Sequence, residues 1–124
     1  MAGVVRMKIE VSLNANLGLV GPMKLEKSLA VDEWYGPYTL EVATGSTEVA
    51  TGIFTANIGL TTMTAFVITS DQTISVTYGT AASNAPVTLT AGGFHAMQDT
   101  SLTEVTISNS SGNTANVLMW AAGT

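Results

Sequence analysis

A chain of 124 residues falls within the size of one domain, which leaves room for a single hydrophobic core and argues against two. The absence of cysteine excludes disulfide staples and thiolate metal sites. Only 10% of the residues are charged, so much of the surface must be Thr, Ser, Asn, Gly and Ala. The net charge of −5 argues against nucleic acid as a partner, because such affinity comes from neutralising phosphates.

The first strand is written plainly. From Val5 to Leu13 apolar residues alternate with Arg6, Lys8, Glu10 and Ser12, the period of a half-buried strand. The opening Met-Ala-Gly-Val-Val has no basic region followed by a long apolar run, and no stretch approaches the ~20 apolar residues of a membrane helix. The expectation is therefore synthesis in the cytoplasm with no membrane partner. Asn14 to Asn16, Gly18 and Gly21-Pro22 supply turn chemistry, and Met23 to Val31 fits a strand better than a helix. Arg6, Lys8, Lys24 and Lys27 are the only basic residues, whereas Asp32 to Glu104 contribute only acids. This polarity predicts a basic N-terminal strand or arm within residues 1–27 that docks on an acidic surface.

Asp32-Glu33-Trp34-Tyr35-Gly36-Pro37 is expected to be an acidic, aromatic loop closed by a Gly-Pro breaker, after which Tyr38, Leu40 and Val42 restore the strand alternation. Between Thr44 and Leu60 the chain is rich in Thr, Gly and Ala, and short strands with open loops are expected, anchored by Val49, Ile53, Phe54 and Ile58. Met63–Thr69 and Thr73–Tyr78, joined by Ser70-Asp71-Gln72, are expected to pair as a hairpin. Gly79 to Pro86 is a small-residue loop, Val87–Thr90 a short strand, and Gly92-Gly93 a sharp reversal. Glu104–Ser108 and Ala115–Ala121, linked by Asn109 to Thr114, are expected to form a second hairpin. About eight short strands with polar turns and no extended helix predict one all-β domain, an antiparallel, jelly-roll-like β-sandwich spanning residues 1–124.

Residues that carry chemistry are sparse. His95, the only histidine, has Asp99 and Ser101 nearby, but local crowding supplies neither the geometry of a triad nor an oxyanion hole. Asp32 and Glu33 point opposite ways on an extended segment, and no run of oxygen ligands suits calcium. No phosphate-cradling glycine motif is present. The reading is of a chain without catalytic residues, metal or cofactor. Trp34 and Tyr35 suit a subunit interface or a stacked sugar ring, and Trp120 falls on the less buried face of the last strand, where it would meet a neighbouring chain.

The C-terminal third, PVTLTAGGFHAMQDTSLTEVTISNSSGNTANVLMWAAG from Pro86 to Gly123, resembles the ending of small virion structural proteins of tailed bacteriophages, the head decoration and cement proteins. The shared pattern is a short strand entering a Gly-Gly turn and an Asn-Ser-Gly hairpin joining the last two strands. The resemblance implies a homo-oligomer, a trimer, seated on the outer capsid surface. It would clamp neighbouring major capsid protein subunits without enzymatic activity. A receptor- or glycan-binding module of a fibre or tail, with Trp34 and Tyr35 in its site, is the alternative. A small β-sandwich hydrolase using His95 and Asp99 is the second alternative.

Overall fold

The long apolar stretches of this chain are strands, and in the computed structural model they pair into three antiparallel sheets. The structure describes residues 3–11, 23–31, 33–79 and 84–124. In chain order the elements are β1 (Gly3–Val11), β2 (Met23–Val31), β3 (Glu33–Val42), β4 (Thr47–Val49), α1 (Ala50–Ile58), β5 (Met63–Ser70), β6 (Ile74–Tyr78), β7 (Val87–Leu89), β8 (Phe94–Leu102), β9 (Val105–Ser108) and β10 (Ala115–Gly123).

β1 and β2 form a two-stranded sheet of their own. The other eight strands make two four-stranded sheets ordered β3-β10-β5-β8 and β4-β9-β6-β7. The pairing is nested. β3 pairs with β10, β4 with β9, β5 with β8 and β6 with β7, so each strand meets its counterpart from the other end of the series. The chain behaves as one long hairpin rolled up until β10 also meets β5 and β9 meets β6. That is the jelly-roll form of the antiparallel sandwich.

The inner faces follow from alternation. Phe66 and Ile68 of β5, Val117, Met119 and Ala121 of β10, Val76 of β6 and Ile107 of β9 are all buried in one cluster. Phe66 is the hub, with the rings of Phe54 and Tyr78 set edge-on to it at centroid distances of 6.3 Å. Such edge-to-face pairs add to what area burial alone contributes.

Four local expectations are corrected here. First, Met63–Thr69 and Thr73–Tyr78 do not pair with each other, because β5 and β6 belong to different sheets. Their buried positions face each other across the core, and alternation marks which side of a strand is buried without saying whether the next strand lies beside it or opposite. The Ser70 to Thr73 link instead crosses between sheets. Asp71 ties it to β10 by accepting the Asn116 backbone N–H and side-chain N–H, both at 2.8 Å, and these bonds hold its carboxyl below the ordinary carboxylate value.

Second, the closing pair β9 and β10 is likewise split between the sheets. Asn109 organises the crossing. Its buried amide nitrogen donates to the carbonyls of Val42 at 2.8 Å and Asn113 at 2.7 Å, and its carboxamide oxygen accepts the Ser111 N–H.

Third, the acidic, aromatic segment before Tyr38 is not a loop, since Glu33–Val42 is one strand. β3 lies at a sheet edge, where proline is tolerated, and the register against β10 shifts around the Gly36-Pro37 cis peptide. Asp32 lies outside the described residues.

Fourth, the Thr44–Leu60 region holds only one short strand, β4, and then the helix α1. Helix propensity does not explain it, since Thr51, Gly52, Thr55 and Asn57 are all poor helix formers. Burial of Ala50 and Phe54, with Ile53 packed beside them, places positions i, i+3 and i+4 against the core. Gly59 ends the helix in the left-handed region, its N–H returning to the Thr55 carbonyl.

Candidate functional site

The outer face of the β3-β10-β5-β8 sheet is the unusual surface of this molecule. Three cross-strand rows run over β10, β5 and β8: Ala122, Ala65 and Gln98; Trp120, Val67 and Ala96; and Leu118, Thr69 and Phe94. A sheet with one face in the core and the other in water should carry polar residues at such positions. Here seven of these nine side chains are apolar.

The β1–β2 hairpin covers one end of that face. Val31 of β2, Ala65 and Ala122 form a second small core, with Met7 of β1 packed against it. Gly3 sits against the Trp34 ring, close enough that a Cβ there would lie 3.0 Å from it. The other end stays open. There Phe94 is 62% exposed, while Trp34, opposite Ala122 at the covered end, is 46% exposed and Trp120, between them, 37%, so three large aromatics stand at the margins of the hairpin.

Two clefts separate the hairpin from the sheet. One, of about 150 Å³, has Trp34 and Trp120 in its wall and Ala65, Val67 and Ala122 beneath, with Met7 from the hairpin. Gly36 forms part of the same wall at φ +140, and a Cβ on it would meet the Trp120 ring and the Met119 carbonyl at under 3 Å, so the close approach of strand and indole requires glycine. The other cleft, of about 260 Å³, has Val67, Phe94 and Ala96 as its floor and Arg6, Met7 and Lys8 as its rim. Arg6 is paired across the hairpin with Glu26, Nε to Oε1 at 3.2 Å, in an exposed ion pair that contributes little to stability.

The residues singled out in the sequence are thus partly brought together. Trp34 and Trp120 share a cleft, and Arg6 and Lys8 share the other. Lys24 and Lys27 occupy β2 and Tyr35 occupies β3, opposite Ala121, but their side chains lie outside the described residues. Phe94, Val67 and Glu41 were not singled out. The signal for Val67 was present, because Ala65-Phe-Val-Ile68, like Val117-Leu-Met-Trp-Ala-Ala122, is a continuous apolar run, the mark of a strand covered on both faces, whereas Phe94 lies in no such run.

His95 lies on β8, paired with Ile68 of β5. It points inward between the sheets, where its Nδ1 and the Tyr78 hydroxyl are hydrogen-bonded at 3.0 Å and the two rings stand 6.2 Å apart. Burial raises the Tyr78 phenol to about 12. Asp99 lies four positions along the same strand, a rise of roughly 13 Å in extended chain, with its side chain outside the described residues. Asn109-Ser110-Ser111 matches the N-glycosylation tripeptide, and in the folded chain both Asn109 amide hydrogens are committed to carbonyls. Comparison with known protein families, characterised proteins and solved structures finds no match. The fold and this outer face therefore define the class to which the chain is assigned: a jelly-roll β-sandwich carrying an added hairpin on one sheet.

Proposed function

We propose that the protein is a non-enzymatic virion structural subunit, of the capsid decoration or cement kind, that sits on the outer capsid surface as a homo-oligomer bound to the major capsid protein. The observation that carries the reading is the open, apolar end of the β3-β10-β5-β8 outer face. Exposed aromatics of this kind, beside an apolar patch, mark surfaces that another protein covers. Jelly rolls occur among capsid and lectin domains, so the fold is compatible with the role and selects it only by analogy. The low charge of the remaining surface suits close packing against neighbours.

The glycan-binding alternative is favoured by the shared cleft of Trp34 and Trp120. Its lining is predominantly apolar, however, with no charged, hydroxyl or amide side chain in it, and a sugar needs polar groups to replace the water on its hydroxyls. The assembly reading fits that lining better.

An image of the native particle tests the proposal. The expected result is density for the sandwich on the outside of the shell, with the strand bearing Arg6 and Lys8 at the capsid-proximal end. Density only in the tail, or a particle without the protein, would overturn it, and a distal hairpin would remove the docking mode.

A further inference from the structure

We infer that the cleft between β1 and β8 is a contact for a second copy of this chain, and that its occupant is the acidic β3 edge of that copy. The inference rests on the reading of the protein as an assembling subunit, and it names the partner of one flank.

Charge separation is the first argument. Up to Val31 the chain carries Arg6, Lys8, Lys24 and Lys27 against Glu10 and Glu26, a net of +2. Beyond it lie Asp32, Glu33, Glu41, Glu48, Asp71, Asp99 and Glu104 with no Lys or Arg, a net of −7, which together give the −5 of the whole chain. The sandwich is therefore uniformly acidic and the hairpin is basic. Copies should repel through their sandwiches and attract from hairpin to sandwich.

Placement is the second. β8 and β3 are the two opposite edges of the same sheet. The β8 edge carries exposed Phe94 beneath Arg6 and Lys8, and Glu26 offsets one of these two cations. The β3 edge carries exposed Glu41 and, seven positions before it, exposed Trp34. One edge thus offers cation plus aromatic and the other anion plus aromatic. A contact between unlike edges is head-to-tail, and it closes into a ring when the rotation between copies permits.

Sedimentation velocity of the purified protein, free of particles, tests this. The wild type is expected to associate at low salt and to dissociate progressively as sodium chloride is raised from 50 to 500 mM. The Arg6→Glu, Lys8→Glu double variant and Glu41→Lys should each raise the dissociation constant about tenfold or more, whereas mixing the two should restore association between them. Phe94→Ser removes an exposed ring without touching the core and should weaken association with an unchanged melting temperature. A wild type that stays monomeric at 100 μM and 50 mM salt, or an oligomer indifferent to all these changes, overturns the inference. Self-association without particle binding would leave the inference standing and sink the capsid reading, while a monomer found on particles would do the reverse.

Discussion

The two outer faces of the sandwich are built from the same strand geometry and opposite chemistry. On the β4-β9-β6-β7 sheet one cross-strand row reads Thr47, Ser108, Ser75 and Thr88, and the next carries Val49, Thr106 and Thr77. Thr47 and Ser108 join their hydroxyls at 3.0 Å. Apart from buried Thr77 and exposed Val49, the face meets water through hydroxyls rather than charges, which explains how a chain with so few charged residues can present a sheet to water. On the β3-β10-β5-β8 sheet the corresponding positions are, apart from Thr69 and Gln98, Ala, Val, Leu, Phe and Trp, and part of that surface is covered by the chain's own hairpin. One face is finished and the other is half finished. The difference locates where a partner is needed.

Substitutions that exchange the two chemistries should separate the faces most sharply. Ala65→Glu places a carboxylate beneath the hairpin against Val31, Ala122 and Met7 with no cation in that cluster, and is expected to cost about 3 kcal/mol or more, read as a fall in the urea midpoint. An unchanged midpoint would mean that the hairpin does not cover the sheet there. Asn109→Ala tests the crossing that joins the faces. Removing the buried amide leaves the Val42 and Asn113 carbonyls without its hydrogens, for an expected loss of about 2 kcal/mol by the same measurement.

The inner side of the two sheets responds to alkali. Because burial lifts the Tyr78 phenol to about 12 from an ordinary value near 10, the unfolded chain loses that proton first, and stability should decline as pH rises from 10 to 12. Denaturation midpoints at pH 9 and 11.5 check this against Tyr78→Phe, in which the Tyr78 share of the decline should vanish. The smallest effect is expected on the hydroxyl face. Thr88→Glu, exposed at the end of its row, should change stability by no more than about 0.5 kcal/mol. A large loss there would show that this face is also covered.

Much of the fold was legible because strand burial is written with a period of two. Val5 to Val11, Tyr38 to Val42 and Ile74 to Tyr78 declared themselves in that way, and Gly92 turns with positive φ where a reversal was expected; Ser12 to Pro22, where a turn was expected, lie outside the described residues. β8 was harder to read. In Phe94 to Leu102 the outward Phe94 and Ala96 are as apolar as the inward Met97, and the register against β5 is irregular, so alternation is blurred. The helix α1 was illegible for a different reason, since its residues favour other conformations and only the pocket that takes Phe54 makes a helix the better outcome.

The candidate site was read in fragments. Arg6, Lys8, Trp34 and Trp120 stood out by type, because cations and tryptophans are rare here, but their grouping around one hairpin depends on contacts far apart in the chain.

By itself, then, the amino-acid sequence determined an all-β chain, several of its strands, and a basic beginning followed by an acidic remainder. These follow from local periodicity and composition, which need no knowledge of neighbours. Only the tertiary structure decided that β5 and β6, and β9 and β10, face each other across a core instead of lying side by side, and that the hairpin leaves Phe94, Trp34 and Trp120 in the open. The physical reason is that alternation specifies the buried side of a strand and is silent about its partner, which is chosen by how the two sheets close over Phe66.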